Sequence, residues 1–161
     1  PIVAEDRLAI PGFHPFTRRF FAAAPHSGYL APDVLFRESS NTQPQRLFEI
    51  LKGTQHHLLL FVGKNPNIES YEKIKKFANL VNERYAHLVS VVLILPNKTS
   101  EEEFDWSGQK LIDTDGTLYN HYGAGSECLY LIRPDRYIGY RSQAVDTNKF
   151  FAYLQQLIKV E

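Results

Sequence analysis

Among 161 residues there is one cysteine, Cys128, one tryptophan, Trp106, and no methionine. A single thiol cannot close an intramolecular disulfide, and it leaves neither a Cys-x-x-Cys redox pair nor a cysteine-based zinc site. Charge of one sign is also lacking, since 18 Lys and Arg balance 18 Asp and Glu. The clustered basic excess of a general nucleic-acid surface is therefore missing. The longest apolar runs, Leu58–Val62 and Val89–Leu95 (broken only by Ser90), fall far short of the roughly 20 residues a membrane-spanning helix needs. The first residues lack the charged start, apolar centre and small-residue cleavage site of a signal peptide. The expectation is a soluble, cytoplasmic protein with no nucleic-acid or membrane partner.

What is there suits one globular domain, at roughly 100–200 residues per domain. Residues 1–30 are dense in Pro11, Pro15, Pro25, Gly12 and Gly28, interleaved with Phe13, Phe16, Phe20 and Phe21. Prolines at that density interrupt regular ladders, so an irregular arm is expected, packed through its aromatics on this domain or a neighbour. From Ala31 to Glu161 strands and helices alternate. Asp33–Phe36 reads as a short strand. A helix capped by Asn41 or Thr42, with Pro44 in its first turn, should run to Gly53. Leu58–Val62 and Val89–Leu95 read as strands buried on both faces. Between them Ile68, Tyr71, Ile74, Ala78, Val81 and Tyr85 form a helical stripe, with Asn65 and Pro66 as its cap and first turn. Lys110–Asp113 suggests a strand, and Asp115-Gly116 a turn into a brief helix through Tyr122. Cys128–Ile132 and Tyr137–Arg141 should form a hairpin across Arg133-Pro134-Asp135-Arg136, and Asp146 should cap a last helix. The order β-α-β-α-β-α-β-β-α predicts a thioredoxin-like α/β fold: a central mixed β-sheet with helices on both faces, the first three strands parallel and the hairpin an antiparallel edge pair.

A thioredoxin-type enzyme carries its nucleophile where the second strand meets the second helix, because the helix N-terminus stabilises a thiolate. That junction reads Gly63-Lys64-Asn65-Pro66-Asn67 and contains no thiol. The segment before the fourth strand, Gly123-Ala124-Gly125-Ser126-Glu127, lacks the proline that shapes the substrate groove in such enzymes. Cys128 follows Glu127, whose charge disfavours a thiolate, so a buried inert thiol is expected. Gly63-Lys64 and Gly123-x-Gly125 lack the remaining glycines of phosphate loops. Asp113-x-Asp115-Gly116 lacks the later ligands of a calcium loop and reads as a capping turn. His56 and His57 are adjacent on a strand and point to opposite faces, while His14, His26, His87 and His121 have no ligand spacing. No catalytic, cofactor-binding or metal-binding residue is assigned. Glu101–Glu103 reads as a solvated loop, and Trp106 as an anchor or a partner contact. Tyr119, Tyr122, Tyr130, Tyr137 and Tyr140 crowd the C-terminal third. On an unbroken strand Ile138 and Tyr140 share one face, leaving the other for solvent or an interface.

Gly28-Tyr29-Leu30-Ala31-Pro32-Asp33-Val34 and the run Leu129 to Arg141 resemble the entry segment and hairpin of the C-terminal domain of FAD-dependent aromatic-ring monooxygenases, the phenol hydroxylase and pentachlorophenol monooxygenase group. Leu47-Phe48, Asp115-Gly116-x-Leu118 and Tyr122-Gly123-Ala124 fall in the same order, and Arg136 departs from the usual glycine. The resemblance implies a thioredoxin-like domain without redox cysteines and a structural role. Its partners would be a flavin-binding domain or, through dimerisation, a second copy. It implies FAD and NAD(P)H only for a parent enzyme, with no cofactor in this chain. The missing methionine and the start at Pro1 fit a piece of such an enzyme. Two rivals stand beside this reading: a thiol peroxidase or reductase using Cys128, and a free-standing protein-binding module.

Overall fold

The structure, a computed structural model, describes residues 4–6, 15–97 and 104–160. Its centre is a pair of parallel strands made by the two apolar runs, β4 (His56–Phe61) and β5 (Val89–Leu95). Strand β6 (Gln109–Ile112) adds in parallel beyond β5. On the other side of β4 lies the hairpin β7 (Cys128–Ile132) and β8 (Ile138–Gln143), with β7 antiparallel to both neighbours. The outermost strand, β1 (Ala4–Asp6), pairs in parallel with β8. The sheet order is therefore β1-β8-β7-β4-β5-β6.

Helices cover both faces. Helix α3 (Ile68–Tyr85) and helix α5 (Thr147–Val160) pack on one, burying Ile74, Phe77, Val81, Phe150 and Leu154 against Leu58, Leu60, Leu93 and Leu129. Helix α1 (Pro15–Ala23), helix α2 (Leu47–Ile50) and helix α4 (Thr117–His121) cover the other with Phe21, Leu47, Leu118 and Tyr119 against Leu59, Phe61 and Ile94. Alternation along each strand sends neighbouring residues to opposite cores, which is why β4 and β5 are apolar almost without break. The arrangement is the thioredoxin-like α/β fold, with a mixed central sheet flanked by helices.

Several expectations change. Residues 1–30 are not irregular throughout: Ala4–Asp6 joins the sheet edge and Pro15–Ala23 is helical. Pro15 opens that helix, where a missing N–H costs nothing. The segment Asp33–Phe36 does not enter the central sheet. Leu35–Phe36 (β2) pairs with Gln45–Arg46 (β3) in a separate antiparallel ladder. The helix expected from Asn41 to Gly53 shrinks to α2, because residues 45–46 are spent on that ladder. Asp33 Oδ1 then accepts from Phe48 N at 3.0 Å to satisfy the new start. For α3 the cap is Asn67, whose Oδ1 accepts from Ser70 N at 2.9 Å. The hairpin is antiparallel as expected but does not form the edge, since β1 pairs with β8 beyond it. Finally, the β7–β8 register skips Gly139, so Ile138 pairs with Ile132 and Tyr140 with Leu131. This bulge puts Ile138 and Tyr140 in opposite cores, not on one face.

Candidate functional site

The turn from β4 into α3 occupies the place where the fold hosts a redox centre. Gly63 sits at φ 95°, and a Cβ there would meet Ser126 and Glu127 backbone atoms at 3.2 Å. Glycine is thus required twice, by conformation and by the close approach of the loop before β7. Lys64 N donates to Gly125 O at 3.3 Å, tying the two loops together. Between them lies a cavity of about 170 Å³ lined by Val62, Asn65, Pro66, Ser70, Ser126 and Glu127.

The polar groups around this groove are engaged with one another. Asn67 Oδ1 accepts from both Ser70 N and Ser70 Oγ, and Gln143 Nε2 donates to Ser126 Oγ at 2.8 Å. Glu127 pairs with Lys73 at 3.1 Å and accepts from Val145 N at 3.2 Å. Lys64 Nζ donates to Asn120 Oδ1 at 3.2 Å and lies 5.2 Å from the Phe20 ring centre. Exposed apolar side chains stand on two nearby helices: Ile68, which opens α3, is 78% exposed, and Phe16 of α1, stacked on Phe20, is 68% exposed. The groove has a largely polar lining and holds no thiol.

Cys128 is the next residue after Glu127 but belongs to the opposite surroundings. It opens β7 opposite Phe61, is fully buried, and sits in the core with Tyr122 and Tyr130. Burial pushes its thiol well above the ordinary range, against a partial opposing pull from Arg141. A thiol so placed has neither access nor thiolate character.

The other singled-out residues are structural. Trp106 is buried and donates to Asn79 Oδ1 at 2.9 Å, so it is an anchor. Asp113 Oδ2 accepts from Tyr119 N at 2.9 Å, capping α4 from the turn that resembled a calcium loop. Tyr119, Tyr122, Tyr130 and Tyr140 are all buried, so the C-terminal tyrosines form core, not an interface; Tyr137 alone of the five is exposed. Tyr119, Tyr122 and Tyr130 donate to the carbonyls of Ile94, Pro32 and Tyr122 at 2.6–2.8 Å. No three His, Cys, Asp or Glu side chains come together as a metal site among the described residues. Glu101–Glu103 and His14 lie outside the described residues. Among those described, no helix is long and apolar enough to cross a membrane.

Sequence reasoning missed Arg141. It is buried, and its Nη1 donates to Phe21 O, Ala24 O and Pro25 O at 2.8–3.2 Å, closing the C-terminal end of α1. The available signal was a lone arginine inside an otherwise buried hairpin strand.

No family model matches the sequence, and no curated protein matches it. Solved structures do. A thiol peroxidase from Chromobacterium violaceum superposes with a TM-score of 0.63 at 11% identity, over 83% of this chain and 88% of that one. A protein described as a thiol:disulfide interchange protein, DsbE, from Chlorobium tepidum gives 0.63 at 17% identity, over 83% and 96%. A peroxiredoxin-like protein from Aquifex aeolicus gives 0.60 at 14% identity, over 85% and 90%. These findings overturn the expected kinship with flavin-dependent monooxygenases, because the likeness is to nearly whole chains of thiol-protein type and not to domains of flavin enzymes. The segments that carried that resemblance are a hairpin of buried strands and an entry loop anchored by Ala31 and Val34, patterns that sheet burial and turn chemistry impose on their own. At these identities the comparisons establish the fold: the chain is a thioredoxin-like α/β protein.

Proposed function

We propose that this chain is a protein-binding module built on the scaffold of thiol peroxidases and thiol-disulfide oxidoreductases, with the groove at the head of α3 holding an extended segment of a partner protein. One observation carries the reading: the position where this fold hosts a reactive thiol is a 170 Å³ groove with a polar lining, and the exposed Ile68 stands two residues from the lining residues Pro66 and Ser70. Backbone and side-chain polar groups beside an exposed apolar side chain suit recognition of an extended peptide. A reducing, cytoplasmic setting fits a chain whose single cysteine can form no disulfide within it.

The test is peptide-array binding followed by fluorescence anisotropy, comparing the native chain with Ser126→Trp, which fills the groove. The expected result is a set of peptides whose affinity falls at least about tenfold in the variant. Equal binding by both proteins refutes the groove as the site.

A second reading, a thiol peroxidase or reductase using Cys128, is favoured by the solved structures this chain resembles. It requires Cys128 to reach a substrate from full burial. Peroxide or disulfide turnover by the native chain that disappears in Cys128→Ser would establish it and displace the first.

A further inference from the structure

At the other end of β4 from the groove, a second cavity lies between α2 and the β7–β8 turn. We propose that it binds a small oxyanion, a phosphoryl or carboxylate group, between the imidazole of His57 and the guanidinium groups of Arg133 and Arg136. The cavity measures about 50 Å³, and Phe48, Leu51 and Pro134 complete its walls. One water needs about 10–15 Å³ of such space, so the cavity admits one small polyatomic ion and excludes a sugar or a nucleobase.

Three features of the walls point to an anion. His57 is 93% buried by its 7% residual exposure, yet neither ring nitrogen makes a hydrogen bond of ordinary geometry. Buried polar atoms are nearly always satisfied, and this ring has one obvious neighbouring space. Its nitrogens are sealed from solvent as the ring now stands, although His57 lines the cavity; the proposed site requires the ring to turn about its broad Cβ–Cγ torsion so that one nitrogen faces the ion. Arg136, second, occupies the left-handed region at φ 73°, the one described residue other than glycine to do so. Glycine would fit that turn without strain; arginine there instead places a guanidinium 4.5 Å from the Phe48 ring centre, at the cavity wall. Third, the Arg133 side chain is only 19% exposed, so its charge sits in a partly desolvated position.

The charges facing His57 are lopsided. Burial, His56 on the same strand and Arg136 from the turn all disfavour a proton on its ring, with the Lys52 backbone in partial opposition. On the turn the acid is Asp135, paired with Arg133; on the α2 side Glu49 and Lys52 are exposed to solvent. An anion would relieve the positive excess and bring the proton back to His57, so ligand binding and His57 protonation should be linked.

The experiment is imidazole NMR of the full chain titrated with inorganic phosphate and, separately, with acetate. Expected are saturating shifts at His57 with a dissociation constant of about 1 mM, a rise in the His57 titration midpoint, and no such change at the exposed His87 and His121. Arg136→Asn keeps a residue tolerant of the left-handed turn and should weaken binding about tenfold, the loss of one charge-assisted contact. Arg133→Gln is the second variant, with the same expected loss, and circular dichroism checks both for folding. Binding of phosphate, acetate or both supports the site and names its preferred oxyanion. His57 signals unmoved by either ion at about 50 mM, or affinities unchanged in both folded variants, overturn it.

Discussion

On the α3–α5 side of the sheet, two long helices of 18 and 14 residues bury a nearly seamless layer of aliphatic and aromatic side chains. The α1–α2–α4 side is covered by helices of nine, four and five residues, and cannot rely on regular packing in the same way. It is pinned instead by side chains reaching backbone: Arg141 to three carbonyls, Tyr119 to Ile94 O, Tyr122 to Pro32 O, and Asp113 to Tyr119 N. Short helices leave more terminal backbone groups per residue than long ones. Pinning by polar side chains is the compensation, and it makes that face specific where the other is merely well packed.

Mutations can break this contrast. Arg141→Ala should be the most damaging, at about 4 kcal/mol, because several charge-assisted hydrogen bonds and a large buried side chain vanish together. Urea denaturation measures it; a loss below about 1 kcal/mol would mean the short-helix face is not pinned as described. Leu60→Ala on the opposite face should cost about 3 kcal/mol by cavity formation alone, with no selective exposure of α1 in hydrogen exchange. Tyr119→Phe should cost about 1 kcal/mol, the net value of its hydroxyl bond.

The mildest change is Asp113→Asn. Burial raises the Asp113 carboxyl above its ordinary 3.8, with the Tyr119 amide pulling the other way. The unfolded chain therefore releases this proton first, and stability falls as pH rises from 3.8 through the raised folded value. Asparagine can keep the cap and should flatten that fall in a series of melting temperatures. An undiminished slope in the variant would assign it elsewhere.

The long-helix face was largely legible from the sequence. The stripe from Ile68 to Tyr85 and the runs at 58–62 and 89–95 carry strong periodicity, and the structure has α3, β4 and β5 within two residues of those spans. The junction at Gly63–Asn67 could be located for the same reason. The opposite face was hidden because its determinants are non-local. Nothing near Asn41 reveals that Leu35–Phe36 will pair with Gln45–Arg46, nor near Pro15 that Arg141 will close the helix it starts. The skipped Gly139 was hidden as well, since a bulge reverses the faces expected from simple alternation. The kinship expectation failed on its own ground, by taking a hairpin pattern for a family signature.

Cys128 has one more consequence. Its side chain is fully covered at the first position of a sheet strand that pairs on both edges. An alkylating reagent can reach it only after the packing over the start of β7 has opened, so the rate of labelling counts those openings. The buried thiol is thus a native clock for opening of the fold, readable by mass spectrometry without any added probe.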